Sequence, residues 1–99
     1  MQTTFNKSEN TLTVAISGSI DTVTAPQLHE QLQANWDGVS GLILDFAAVD
    51  YISSAGLRVV LMANQHMEDA DGTMVVKNVN DDVKDVFEMT GFDSLLTIE

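Results

Sequence analysis

Asp50-Tyr51-Ile52-Ser53-Ser54-Ala55-Gly56-Leu57-Arg58 carries the chain through two adjacent hydroxyls into a helix. Just upstream, Leu42-Ile43-Leu44-Asp45-Phe46 is short and almost wholly apolar, the pattern of an interior strand covered on both sides. Downstream, Leu57, Val60, Leu61, Asn64 and Met67 recur at helical spacing, which predicts a helix from Ser54 to about Asp69 with that stripe in the core. Ser53 or Ser54 is its cap, because a hydroxyl oxygen there accepts from an otherwise unpaired backbone N–H. Turning about 100° per residue puts Ala55, Arg58 and Met62 on the opposite side, with Val59 and His66 near its edge. That outer face is more apolar than a solvent helix requires and reads as a partner-binding strip.

Working toward the N-terminus, Thr11 to Ser17 alternates, with Leu12, Val14 and Ile16 on one face: a strand with one buried side. Thr3 to Lys7 pairs with it as a hairpin across Ser8, Glu9 and Asn10, and Gly18 breaks the pattern. Thr24-Ala25-Pro26-Gln27 reads as a helix start, Thr24 the cap and Gln27 in the capping-box position. Leu28, Leu32 and Trp36 then form a stripe that packs on a sheet, and Asp37-Gly38 through Gly41 ends it. Toward the C-terminus, Asp71-Gly72 turns into Thr73 to Lys77, another buried strand. Asn80 caps a third helix whose first turn carries Asp81 and Asp82, whose stripe is Val83, Val86 and Phe87, and whose C′ position is Gly91. A last short strand is expected within Leu95 to Ile98. The order ββαβαβα, closing in β, implies one α/β domain over residues 1–99, a mixed β-sheet with helices packed on it.

Charge narrows the function. Fifteen Asp and Glu face four Lys and Arg, a formal net charge of −11. Binding to a phosphate backbone or an anionic membrane draws on clustered cations, so neither nucleic acid nor membrane is an expected partner. The absence of cysteine removes disulfides, thiolate metal sites and a Cys nucleophile. Met1 to Asn10 has no apolar stretch of the kind a secretory leader needs, and no apolar run approaches the roughly 20 residues of a membrane span. A cytoplasmic domain is expected.

Gly18-Ser19-Ile20-Asp21 followed by Thr24-Ala25, together with Asp50 to Arg58 and the Val83 to Gly91 stretch, resembles the STAS family, and within it the bacterial anti-sigma factor antagonists. The likeness covers nearly the whole chain. It implies a STAS-like fold, a phosphoacceptor at Ser54, an adjoining helix turn at Gly56-Leu57, and Asp21 as the acidic residue of the neighbouring loop. It further implies an anti-sigma factor that is itself the serine kinase, a metal-dependent serine phosphatase that restores the binding form, and a domain that is a substrate of enzymes and holds no cofactor. Two residues depart from the pattern. Ser53 stands where many members have Asp, and Ser19 where many have Glu. Ser19, Asp21, Ser53, Ser54, Ala55, Arg58 and Met62 are therefore the expected partner surface.

The residues make physical sense of such a switch. A helix N-terminus carries roughly half a positive charge and unpaired amides. A phosphate adds about −1.5 to −2 charges there, close to Asp50 and Asp21, with Arg58 the only cation within reach along the chain. The competing reading keeps the fold and makes the helix end a permanent dock in a transporter or signalling assembly. An enzyme is disfavoured, since there is no Gly-x-Ser-x-Gly elbow and no Gly-rich loop with Lys. His29 and His66 lie on different helices without a third ligand, so no metal site is expected; Asp81, Asp82 and Asp85 read as a solvated helix face, and Trp36 as an anchor of helix on sheet.

Overall fold

The computed structural model describes residues 1–99. The elements run β1 (Gln2–Ser8), β2 (Thr11–Ile20), α1 (Thr24–Gln33), β3 (Gly41–Ile52), α2 (Ser54–Asp69), β4 (Thr73–Lys77), α3 (Asp81–Thr90), a 3₁₀ turn (Phe92–Ser94) and β5 (Thr97–Ile98). The strands lie side by side in chain order, β1 antiparallel to β2 and all later pairs parallel. Each parallel strand is added on the same side of its predecessor. With right-handed crossovers, that places the connecting helices on a single face of the sheet.

Register and burial agree. Leu12, Leu42 and Met74 form one row across β2, β3 and β4, and Val14, Leu44 and Val76 the next; all six are buried. Leu28 and Leu32 of α1, Val60, Ala63 and Met67 of α2, and Val83 and Phe87 of α3 complete the same core. Phe46 and Phe87 stack across the sheet–helix boundary with ring centres 6.3 Å apart. Ile43 and Asp45, between the buried positions of β3, are only partly covered. The strand is interior in the sheet but buried on one face, not on both.

Two strands are longer than their hydrophobic patterns indicate. Gly18, at φ +88, does not end β2, which continues to Ile20. β3 runs to Ile52 because it carries an extra residue opposite β2 in two places, between Asp45 and Ala48 and between Val49 and Tyr51. Each bulge shifts the inside-outside phase by one, so Phe46, Val49 and Ile52, three apart, all reach the core.

α1 opens earlier than Thr24-Gln27 suggests. Asp21 Oδ1 accepts from the backbone N–H of Val23 and of Thr24, each at 2.9 Å, and Thr24 Oγ1 accepts from the Asp21 N–H at 2.8 Å. That reciprocal pair is a capping box from Asp21 to Thr24, three residues upstream of the expected one. Thr24 Oγ1 also donates to the Ser19 carbonyl oxygen at 2.8 Å, which ties the helix start to the end of β2. The two N–H bonds, Thr24's first, hold the Asp21 carboxyl below its ordinary value of 3.8.

α2 has the bounds its spacing predicts, and Ser53 is its cap, accepting from the Gly56 N–H at 3.2 Å. Its buried arc is rotated from the expected one: Val59 and Ala63 are core, whereas Leu61 and Asn64 are only partly covered. α1 packs against α2, and the burial of Val59 and Ala63 accords with cover from that side as well as from the sheet. Trp36, just past α1, stacks on His66 at 3.9 Å with His29 edge-on at 6.2 Å, so it joins two helices within the common core. Asn80 caps α3 through the Val83 N–H and also donates to the Val49 carbonyl, fixing that helix against β3. Gly91 ends α3 at φ +78. No helix is long and apolar enough to cross a membrane.

A Cβ added at Gly56 meets Ile52 Cγ1 at 2.7 Å, Ile20 Cγ2 at 2.8 Å and the Ile20 carbonyl oxygen at 2.9 Å. Gly56→Ala is expected to cost about 1–3 kcal/mol as overpacking, read as a lower denaturant midpoint; an unchanged midpoint contradicts the close approach. Because the folded Asp21 pKa is depressed, its contribution to stability is present above 3.8 and is lost as pH falls through the folded value. Asn keeps the capping acceptor without the titration. The stability difference between wild type and Asp21→Asn is therefore expected to shrink between about pH 5 and about pH 2; a flat difference contradicts the assignment.

Candidate functional site

In a sheet of parallel strands followed by helices, the carboxyl ends of the strands and the N-termini of the helices gather at one edge. Here that edge brings together the end of β2, the β2–α1 turn, the end of β3 and the first turn of α2. Ile20 pairs with Ile52 across the last rung, and its carbonyl accepts from the Ser53 N–H at 2.8 Å. Gly56 allows the first turn of α2 to sit directly on Ile20. Asp21 and Ser54, far apart in sequence, thus flank one rigid junction.

Ser53 and Ser54 separate by role at once. Ser53 is half-buried, with its Oγ engaged as the cap, whereas Ser54 is exposed and no protein group bonds its Oγ. With the Gly56 amide taken by Ser53 and that of Leu57 by the Ser53 carbonyl, the N–H groups of Ser54 and Ala55 are left without a protein partner. An acceptor hydroxyl beside unpaired amides can take up an anion with no change of backbone.

The other expected residues divide. Arg58 is exposed, one turn along from Ser54, and has no ion-pair partner; the one ion pair of the chain is Lys77–Glu99 at 3.9 Å. Met62 is exposed on the outer side of α2, as expected. Ala55 is half-buried against the core and contributes little outer surface. Val59, expected near the outer edge, is buried. Ser19 donates to Asp50 Oδ1 at 2.9 Å, so its hydroxyl clamps β2 to β3. Asp50 is accordingly a strand residue held by a side chain.

Two residues at this edge escaped the sequence reading. Tyr51 is 53% exposed and Val23 is 70% exposed. Val23 sits in the tight Asp21–Thr24 turn, where its side chain has no stripe to join. Tyr51 faces outward because the second bulge directs Val49 and Ile52 inward. A shallow dent of about 160 Å³ runs from Asp50 and Tyr51 to Asp82 and Val86 of α3. The edge thus offers exposed apolar side chains ringed by Asp21, Asp50 and Asp82. No group of three His, Cys, Asp or Glu side chains is placed to hold a metal ion.

Comparison with known proteins gives a consistent family. The STAS domain model matches residues 2–99. BtrV of Bordetella bronchiseptica, assigned as an anti-sigma factor antagonist, is 35% identical over 99 residues, covering 99% of this chain and 85% of its own. An anti-sigma factor antagonist from Mycobacterium paratuberculosis superposes with a TM-score of 0.86 at 26% identity, over 98% of this chain and 83% of that one. The antagonist SpoIIAA gives a TM-score of 0.78 in its unphosphorylated form, at 16% identity over 99% of this chain and 87% of that one. Its phosphorylated form, from Bacillus, gives 0.78 as well, at 17% identity over 99% and 91%. With the mixed five-stranded sheet, the helices on one face and a model match over nearly every residue, the chain belongs to the STAS domain family.

Proposed function

We propose that the chain is an anti-sigma factor antagonist whose unmodified form binds an anti-sigma factor and so frees a sigma factor. The anti-sigma factor is also the kinase: the γ-phosphoryl of ATP passes to Ser54 Oγ, the hydroxyl proton leaves, and ADP is released. A metal-dependent serine phosphatase reverses the step. The chain is a substrate of both and catalyses neither.

The observation that carries this reading is the division of labour at Ser53-Ser54. One hydroxyl is locked as a cap while the next is exposed and unengaged at the first helical position. A permanent dock needs no free hydroxyl there, which favours a switch over a fixed subunit. The equal match to a relative solved with and without phosphate supports a change of surface charge with the fold retained. The partner surface comprises Asp21 and Ser54, with Arg58 and Met62 along α2, and Val23 and Tyr51 as its exposed apolar anchors. Ser19 and Ser53 support it from behind. An added dianion beside Asp21 and Asp50 faces whatever the partner buries there, and about 1.4 kcal/mol of lost interaction is tenfold in affinity.

Incubation with the cognate kinase and ATP is expected to place a single phosphate on the wild-type chain. Ser54→Ala abolishes it; Ser53→Ala retains it while losing about 1 kcal/mol of stability with the cap. Phosphate that persists in Ser54→Ala, or maps to Ser53, overturns the assignment. Tyr51→Ala is expected to weaken partner binding by about 2 kcal/mol, as a central aromatic does, and to change folding stability by no more than about 0.5 kcal/mol. Unchanged affinity removes Tyr51 from the interface.

A further inference from the structure

A second surface begins at Ser54 and runs away from Asp21. Between α2 and the end of α3 lies an open groove of about 420 Å³, lined by Ser54, Leu57, Arg58, Leu61, Thr90 and Phe92. Its floor is apolar. Leu61 and Phe92 are only partly covered, and Leu95, beyond the 3₁₀ turn, is 57% exposed. The Thr90 hydroxyl donates to the Val86 carbonyl at 2.8 Å within its own helix, so the groove receives little polarity from it. Asn64 Nδ2 reaches the Leu95 carbonyl at 3.4 Å and holds the far wall against α2.

Arg58 stands on the rim. Fifteen acidic residues are available to this chain, yet none pairs with it. Its neighbours one turn away on α2 are Ser54, Ala55, Leu61 and Met62, none of them acidic. An unpaired guanidinium over an apolar floor complements a ligand that carries an apolar side chain and a carboxylate close together. A phosphate on Ser54 lies four residues from the same guanidinium, on the same side of the helix.

We propose that this groove is a second contact for the anti-sigma kinase, seating an apolar side chain of the kinase while Arg58 holds an adjacent kinase carboxylate. Phosphorylated Ser54 then draws Arg58 to itself and withdraws it from that carboxylate. The proposal rests on Ser54 being the acceptor. It adds a mechanism for release: modification both introduces negative charge and removes the one cation that the partner uses.

The test compares wild type, Arg58→Gln and Leu61→Gln against the purified cognate kinase, with thermal melts to show that each variant is folded. Both variants are expected to bind at least tenfold more weakly when unmodified. The further loss on phosphorylation is expected to be smaller in Arg58→Gln than in wild type. The ³¹P titration of phosphorylated wild type is expected to have a lower midpoint than that of Arg58→Gln, because a neighbouring cation favours the dianion. A wild-type chain that takes no phosphate at Ser54 defeats the underlying reading and the competition with it. Normal phosphorylation with unchanged affinity in both folded variants overturns the groove alone. So does a change from dimer to monomer in the free variants, which makes a second copy of this chain the occupant.

Discussion

The approach of α2 to Ile20 governs the whole functional edge. Only a residue without a Cβ allows the first turn of the helix to rest on the last rung of β2, and Gly56 occupies that place. The Ser53 N–H to the Ile20 carbonyl, the Ser53 cap on Gly56 and the Ser19–Asp50 bond all brace the same junction. Asp21, tied to Thr24 and through it to Ser19, extends the brace into α1. Ser54 projects from a platform already fully connected beneath it. A phosphate placed there would meet solvent and two free amides, with little reason to disturb the sheet.

Local chemistry was legible where one residue type settles the matter. The start of α2 and the Asn80 cap follow from side chains acting on backbone groups within four residues, and the Gly91 terminus from a residue whose missing Cβ admits the left-handed backbone. The end of β3 was not, because its two bulges are set by pairing with β2, and a bulge erases the alternation on which strand reading depends. At α1, Thr24–Gln27 and Asp21–Thr24 both have capping-box spacing; the contact of Thr24 with Ser19 selects the second.

The candidate site was legible in its centre and not at its margins. The motif and the helical spacing name Ser54, Asp21, Arg58 and Met62, and the fold leaves Ser54, Arg58 and Met62 exposed. Tyr51 and Val23 were missed because their exposure depends on which way a bulged strand and a capped turn point their side chains. Val59 was misplaced because helical spacing identifies a face without saying how many neighbours cover it, and α1 covers the side that sheet packing alone leaves open. The Ser19 hydroxyl is engaged by Asp50.

Net charge first served to exclude nucleic acid and membrane; in the folded chain it also makes one cation conspicuous. The acids at the edge make it receptive to a basic partner surface, and Arg58 is a local exception beside the proposed phosphoacceptor Ser54. The most direct measurement is the affinity of unmodified and Ser54-phosphorylated protein for one purified kinase, with amide NMR spectra of both forms. At least a tenfold loss of affinity is expected, with shift changes confined to residues 19–24, 50–62 and the facing groove wall. Equal affinity, or shifts spread across the sheet, contradicts a switch that acts by surface charge on a fixed fold.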